Sequence, residues 1–189
     1  MGQPDDNTLI DKVLNGHTAA FEIIVNRYKE MVFTVALRIA RNSEDAEEIA
    51  MDAFMKAYSA LAGFRKESKF STWLYRIAHN TAISTARKRK ITITALDDEL
   101  IENYSDEKVK EEINTISDEE QSILLNKVLA HLPSGDNLLI NMFYTDNLSI
   151  DEISEITGLS ISNVKVKLHR VRKKLFNSLS HELVQHGVC

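Results

Sequence analysis

The sequence predicts an all-α protein in which two small helical domains are joined by an acidic linker. Apolar residues recur at spacings of three and four along most of the chain, as they do on one face of an amphipathic helix. Capping residues and glycines stand where these patterns begin and end. Residues 91–120 contain eleven acidic and two basic residues without sustained apolar periodicity, which is typical of a flexible linker. The expected boundaries are 1–91 for the first domain, 92–119 for the linker and 120–189 for the second domain.

The first three helices of the first domain are predicted from their apolar stripes and caps. The first runs from Thr8 to Asn15, and Gly16 ends it. Its inward residues are expected to be Leu9, Ile10, Val13 and Leu14. Thr18 is expected to cap a long second helix, and Asn42 or Ser43 a third.

The segment from Lys69 to Lys90 is predicted as the fourth helix, with Ser68 or Ser71 as its cap. One face is apolar and includes Trp73, which we expect in the core rather than against nucleic acid. A second face is polar or basic and carries Thr72, Arg76, His79, Asn80 and Arg87.

The second domain is predicted to end in a helix-turn-helix. Ser149 to Glu152 form a capping box that opens a short helix, Ile150 to Thr157. Gly158 makes the turn, and Ser160 caps the last helix. The inward residues of that helix are expected to be Ile161, Val164, Leu168, Val171 and Leu175. In such a motif the first half of the last helix enters the major groove of DNA, although a plain helical hairpin is the alternative.

Charge is distributed unevenly, so the net charge of −5 conceals two basic stretches. Residues 64–90 carry eight basic residues and one acidic residue, a net +7, and residues 161–189 carry a net +5. Basic surfaces on helices are typical of nucleic-acid binding. The alternative for either stretch alone is a solvated surface without a ligand.

The sequence shows no signature of catalysis or of cofactor binding. It has no glycine-rich phosphate loop and no nucleophile elbow, so we expect neither enzymatic activity nor a cofactor. The single cysteine, Cys189, excludes an internal disulfide and a cysteine-based zinc cluster. His181 and His186 lie near Cys189, but their spacing matches no standard metal-ligand pair, and a frayed tail is favoured. Without a secretory signal or an apolar run long enough to span a bilayer, the chain is expected to be cytoplasmic, with no membrane insertion.

Two parts of the sequence resemble one family. The second conserved region of bacterial extracytoplasmic-function (ECF) sigma factors is similar to DAEEIAMDAFMKAYSAL followed by FRKESKFSTWLYRIAHNTA. Their fourth region is similar to LPSGDNLLINMFYTDNLSIDEISEITGLSISNVKVKLHRVRKKL. The resemblance covers both domains in the same order. It implies a dissociable subunit that binds core RNA polymerase, through the clamp helices of the largest subunit and the flap, and directs promoter-specific initiation.

The resemblance also implies which residues take part. The polymerase-binding residues would be Asp45, Glu48, Asp52 and Met55. The residues for the minus-10 DNA element would be Arg65, Lys66, Lys69, Arg76, His79, Asn80, Arg87 and Arg89, with Asn80 at a pocket for a flipped base. The residues for the minus-35 element would be Ser162, Asn163, Lys165, Val166, Lys167, His169, Arg170 and Lys173. The family commonly has an anti-sigma factor, so such a partner is expected as well.

This chain departs from the family pattern at the start of the last helix. Ser162 and Asn163 stand where glycine and threonine are common, and Val166 stands where serine is common. The resemblance therefore does not indicate which promoter sequence this chain recognises. Two other functions are compatible with parts of the sequence. A stand-alone transcriptional regulator would use only the helix-turn-helix, and a helical adaptor would bind protein alone.

Overall fold

A computed structural model of the chain describes residues 4–89 and 118–185, and it describes side chains for 4–89 and 123–182. Within these residues every regular element is a helix, which confirms the predicted all-α class. The described residues divide into two compact units, the first with 4–89 and Ser154–Gly158 and the second with 118–153 and 159–185.

Four α-helices build the first unit. They are α1 (Asp6–Leu14), α2 (Ala19–Ala40), α3 (Ser43–Ala60) and α4 (Phe70–Lys88), with a 3-10 turn, Leu61–Gly63, after α3. Helices α2, α3 and α4 pack against one another, and α1 packs on α2. The central packing therefore involves α4 on two sides, which decides how much of its surface is left for a ligand.

The ends of α1 and α3 are fixed by side-chain caps. Asp5 accepts a hydrogen bond from the Thr8 backbone N–H at 2.7 Å, so α1 begins two residues earlier than expected. Gly16 adopts a φ of +90°, which a glycine tolerates best, and the predicted end of α1 is confirmed. Asn42 caps α3 by accepting from the Asp45 N–H at 2.8 Å, as predicted.

The predicted caps of α2 and α4 are wrong in different ways. Thr18 occupies the N-cap position of α2 but makes no capping hydrogen bond with its side chain. For α4, neither Ser68 nor Ser71 is the cap, because the helix begins at Phe70 and Lys69 precedes it without a side-chain cap. Aromatic packing accounts for this start, since Phe70 lies against Phe64 and Trp73 with ring centroids 5.5 Å away in each case.

The core prediction for α4 is confirmed for Trp73, which is 8% exposed. Thr72, however, was expected on the polar face and is 1% exposed. Because α4 packs against both α2 and α3, its buried arc is wider than the single apolar stripe that the sequence shows. The prediction for Leu14 is also wrong: it is 50% exposed at the last residue of α1.

The rest of the described chain forms α5 (Asp118–His131), α6 (Ser134–Tyr144), α7 (Ile150–Thr157) and α8 (Ile161–Gln185). These helices belong to the second unit except for the last four residues of α7, Ser154–Thr157, which fall in the first. Helices α5 and α6 each pack against α8. The last two residues of the predicted linker, Asp118 and Glu119, belong to α5. The rest of that linker lies outside the described residues, as do His186 and Cys189.

The predicted helix-turn-helix elements are confirmed in detail. Helix α7 has the predicted bounds, and the Ser149–Glu152 capping box forms in both directions, with N–H to side-chain oxygen distances of 2.9 and 3.2 Å. Gly158 has a φ of +72° in the turn. Ser160 accepts from the Asn163 N–H at 3.2 Å and so caps α8.

The inward face of α8 begins later along the helix than expected, because its first residue is exposed. The inward residues that the structure buries are Val164, Leu168 and Val171. Ile161 is 44% exposed, so its predicted inward position is wrong. A residue in the first turn of a helix extends past the elements packed against the later turns, which explains the difference.

Candidate nucleic-acid interface

One side of α3 carries the residues assigned to polymerase binding, here termed the acidic face: Asp45, Glu48, Asp52 and Met55. Met55 is 65% exposed, and Met51, one turn earlier, is 69% exposed. Asp52 accepts a hydrogen bond from Lys56 Nζ at 2.7 Å, an i,i+4 pair along the helix. Carboxylates and flexible apolar side chains therefore share this surface, a combination that suits a basic protein partner.

Arg89, which follows α4, is bound to this acidic face. Its Nη1 donates to Asp45 Oδ1, and its Nη2 donates to Glu48 Oε2 at 2.7 Å. A hydrogen bond from Asn42 and a second from Arg89 lower the pKa of Asp45 below its usual value. The bonds to Glu48 and Asp45 raise the pKa of Arg89. Thus a cation that the sequence analysis assigned to DNA is held between two carboxylates assigned to polymerase.

The loop between α3 and α4, residues 64–69, presents three exposed cations: Arg65, Lys66 and Lys69. Phe64 anchors the loop, because its ring packs against Trp73 with centroids 5.2 Å apart. Lys66 has a φ of +59°, a left-handed conformation that is costly for a residue with a side chain. Its Nζ lies 2.7 Å from Asp11 Oδ1 of α1. Sequence reasoning missed Asp11, since no local pattern joins residues 55 positions apart.

The outward side of α4, here termed the α4 face, consists of Arg76, His79, Asn80 and Arg87. Asn80 and Arg87 are exposed, and Arg76 and His79 are partly buried. His79 Nδ1 lies 3.3 Å from Asn80 Oδ1. Burial lowers the pKa of His79 below its usual value, and the bond to Asn80 opposes that shift. At neutral pH His79 is therefore a neutral hydrogen-bonding group rather than a cation.

The corresponding surface of the second unit, here termed the α8 face, is Ser162, Asn163, Lys165, Val166, Lys167, His169, Arg170 and Lys173. Lys167 and Lys173 are partly exposed and the other six are exposed. Val166 is 48% exposed although it is apolar, and an outward methyl group of this kind can contact the methyl group of thymine. The Ser160 cap and the buried residue Val164 fix the first turn, so these side chains project from a rigid element.

Ion pairs and a cation–π contact lie farther along α8. Lys174 Nζ lies 3.2 Å from Asp136 Oδ2 of α6, and Asp136 is fully buried. The Arg172 guanidinium lies 5.5 Å from the ring centroids of both Phe143 and Tyr144. Sequence reasoning missed Asp136, because an acidic residue in the first turn of a helix is usually an exposed one.

Within residues 4–89 and 118–185, no group of three or more histidine, cysteine, aspartate or glutamate residues is arranged to hold a metal ion. No helix in those same ranges combines the length and the apolar character needed to cross a membrane.

Comparison with known proteins identifies the family. Residues 24–91 match the Sigma-70 region 2 family and residues 122–175 match the Sigma-70, region 4 family. The ECF RNA polymerase sigma factor SigW of Bacillus subtilis is 35% identical over 177 residues, which cover 90% of this chain and 94% of SigW. The chain belongs to the ECF sigma factor family. The ECF RNA polymerase sigma-E factor of Escherichia coli K12, 32% identical over 94% of this chain and 95% of its own length, agrees with that assignment.

Solved structures agree with the fold of this sigma factor. CnrH, solved in complex with the cytosolic domain of CnrY, has a TM-score of 0.63 at 21% identity and covers 93% of this chain and 97% of its own. The sigma factor RpoE of Bartonella quintana, solved in complex with the anti-sigma factor NepR, has a TM-score of 0.60 at 20% identity and covers 85% of this chain and 96% of its own.

Family membership confirms the main functional predictions. This sigma factor binds core RNA polymerase and directs promoter-specific transcription initiation, and it is an initiation factor rather than an enzyme. The stand-alone regulator and the helical adaptor are not favoured, because the matched families include region 2 as well as the helix-turn-helix of region 4. Helix α1 precedes the residues that match region 2.

Proposed function

We propose that this sigma factor uses three separate surfaces to bind core polymerase, the minus-10 element and the minus-35 element. The acidic face docks on core polymerase. The loop 64–69, the α4 face and Arg89 bind the minus-10 element and hold its melted strand. The α8 face reads the minus-35 element. Residues 1–91 form the docking and melting domain, 92–119 the linker, and 120–189 the minus-35 domain.

The single observation that carries this proposal is the separation of charge within the first unit. The acidic face lies on α3, whereas the exposed cations Arg65, Lys69 and Arg87 lie on the loop 64–69 and the last turn of α4. A basic protein surface is attracted to the first and repelled by the second, and a phosphate backbone shows the opposite preference. One small helical unit can thus hold protein and nucleic acid at once.

For the α4 face, we propose that Asn80 contacts a base of the melted strand. Its amide is exposed and offers both a donor and an acceptor. Extruding a base costs a few kcal/mol, and polar contacts to its edge recover part of that cost. His79, beside Asn80, orients the amide.

For the α8 face, we propose that Asn163, Lys167 and Arg170 meet base edges and phosphates while Val166 contacts thymine. Asparagine pairs well with adenine and arginine with guanine in the major groove. Lysine contributes mainly to phosphate binding and so to salt dependence.

We further propose a cytoplasmic location and regulation by an anti-sigma factor. Support for such a partner comes from RpoE of Bartonella quintana, whose solved structure contains the anti-sigma factor NepR. Met51 and Met55 offer exposed apolar area on which a helical partner would compete with polymerase.

The test of the proposed function is a reconstitution. Purified chain is mixed with core polymerase, and binding is followed by run-off transcription over genomic fragments. We expect a stable complex and a small set of specific transcripts. Complex formation without promoter-dependent transcripts, or transcripts that persist after residues 1–91 are deleted, would reject the proposal.

A further inference from the structure

Arg89 links the two charged surfaces of the first unit. Its guanidinium donates one hydrogen bond to Asp45 and a second to Glu48, 2.7 Å from Glu48 Oε2. The side chain of Arg89 is 35% exposed and that of Asp45 is 25% exposed, whereas Glu48 is 69% exposed. The guanidinium is therefore seated on the acidic face itself, with its nitrogen donors directed at two carboxylates.

Asp45 has both carboxylate oxygens occupied in this arrangement. Oδ1 accepts from Arg89, and Oδ2 accepts from Asn42 Nδ2 at 2.7 Å. Asn42 is itself fixed, because its Oδ1 caps the Asp45 N–H at 2.8 Å. A basic partner that approaches Asp45 from the side of Oδ1 therefore competes with Arg89 for that oxygen, whereas Asn42 is held by its role as the cap of α3.

Arg89 also follows the basic end of α4. Arg87 and Lys88 occupy the last turn of that helix and are exposed. A guanidinium released from Asp45 and Glu48 would lie beside two cations that already face solvent. Three adjacent cations that all face solvent would repel one another, and a polyanion neutralises them best.

We infer that Arg89 is an internal substitute for the cation of the docking partner. In the free protein it neutralises Asp45 and Glu48. When a basic surface of core polymerase binds the acidic face, that surface replaces Arg89, and the guanidinium becomes available for a promoter phosphate. Docking and promoter binding are then coupled, because one side chain serves the two states in turn. This inference rests on the proposed docking role of the acidic face.

The coupling predicts that one substitution, Arg89→Ala, strengthens docking on core polymerase and weakens promoter binding. Arg89→Ala removes the cation that is bound to Asp45 and Glu48, so this variant should dock on core polymerase more tightly. The expected gain is roughly two- to fivefold, the range that a partly exposed ion pair supplies. The resulting holoenzyme should bind promoter DNA more weakly, and the log–log salt slope should fall by roughly 0.9, the value of one phosphate contact.

The experiment measures both quantities on the full chain. Docking is titrated with labelled protein and core polymerase, and promoter binding is titrated with the assembled holoenzyme at several salt concentrations. Lys88→Ala is the matched control: it removes a cation from the same end of α4, so it should weaken promoter binding and leave docking unchanged. Arg89→Lys keeps the charge and should dock like the wild type or slightly more tightly.

The outcomes separate this inference from the proposed function. If the wild type fails to bind core polymerase, the proposed function itself fails. If the wild type binds but Arg89→Ala docks equally or more weakly, the substitution mechanism is rejected. An unchanged salt slope in the Arg89→Ala holoenzyme would reject the release of Arg89 to DNA. A variant that had merely lost stability would not dock more tightly than the wild type, so tighter docking supports the inference.

Discussion

Helices α4 and α8 both present cations for DNA, but the two units hold those cations differently. In the first unit Arg89 is bound to Asp45 and Glu48, and Lys66 of the adjoining loop is bound to Asp11. In α8, Lys165 and Lys167 form no ion pair with any residue whose side chain the structure describes, 4–89 and 123–182. The buried pair of α8 involves Lys174, two turns beyond Lys167.

This difference shows where the residues that stabilise the fold are also the residues assigned to DNA binding, and where the two sets are distinct. In α8 the polar side chains with these two roles are separated along the helix: those of the first half face outward, and Lys174 in the second half pairs with Asp136 of α6. In the first unit the same cations close the fold and are offered to DNA, so ligand binding there requires an exchange of partners. Substitutions in α8 should therefore affect either stability or DNA binding, whereas substitutions around α4 should affect both.

The largest expected effect is a loss of stability caused by a substitution in the second half of α8, where Lys174 pairs with Asp136. Lys174→Met leaves the fully buried Asp136 without its cation, and Asp136 Oδ1 already lacks a hydrogen-bond partner within the described residues. Breaking a buried pair on one side is costly, so we expect the second unit to lose about 2–3 kcal/mol of unfolding free energy. Urea titrations followed by circular dichroism should show the loss.

Two comparisons make that prediction sharp. Trp73, the only tryptophan of the chain, lies in the first unit, so its fluorescence should report an unchanged transition. The double variant Asp136→Leu with Lys174→Met removes both charges and should recover most of the loss. An equal shift of the fluorescence and dichroism transitions would show that stability is not divided between the units as stated.

The next largest effect concerns the first half of α8, which carries residues assigned to the minus-35 element. Lys167→Ala and Arg170→Ala should each weaken promoter binding by roughly tenfold, since one good contact is worth about 1–3 kcal/mol. Lys167→Ala should change the free energy of unfolding by no more than about 0.5 kcal/mol, because the Lys167 side chain lies outside the core. Holoenzyme binding to a selected promoter measures the first quantity.

Lys12→Ala is the control for those variants, because Lys12 is an exposed lysine in the last turn of α1. It should leave promoter binding unchanged. If Lys167→Ala and Lys12→Ala have the same effect, the α8 face contributes only general charge. If Lys167→Ala destabilises the chain, the separation between the two halves of α8 is wrong.

The α4 face should give a smaller and more selective effect. Asn80→Ala removes an exposed amide and should reduce promoter opening several-fold while leaving docking on core polymerase unchanged. Permanganate reactivity of the melted strand measures opening directly. Asn26→Ala, an exposed asparagine on α2, should open the promoter normally. Normal opening by Asn80→Ala would contradict the assignment of Asn80 to a flipped base.

Local signals explain what the sequence could predict. Caps such as Asn42, Ser149 and Ser160 act over three residues, and Gly16 and Gly158 act at their own positions, so each was found from neighbouring residues alone. Amphipathic spacing predicted the helices for the same reason. The resemblance then supplied the order of the two domains and the identity of the surfaces.

Contacts between distant residues explain what the sequence could not predict. Arg89 meets Asp45 across 44 positions, and Lys66 meets Asp11 across 55. No periodicity encodes such pairs, because they depend on how α1, α3 and α4 pack. The burial of Thr72 has the same origin, since α4 packs against both α2 and α3. The polar residues of the first unit were therefore predicted to be on the surface, whereas their intramolecular partners were not predicted.

The smallest expected effect is a pH dependence in the first unit. Burial lowers the pKa of His79 in the folded chain, so the fold favours the neutral imidazole. The stability that this supplies is present above the ordinary histidine pKa of about 6.5 and is lost as the pH falls through the lowered value. His79→Gln, which stays neutral, should therefore lose less stability than the wild type between pH 7.5 and pH 5. Trp73 fluorescence during thermal unfolding reports this difference for the unit that contains both residues.

The other histidines are common to the wild type and the His79→Gln variant, so their contributions cancel in the comparison. Identical pH profiles would mean that His79 is as easily protonated in the fold as in the unfolded chain. In that case the statement that burial in the α4 face favours the neutral form of His79 would be wrong.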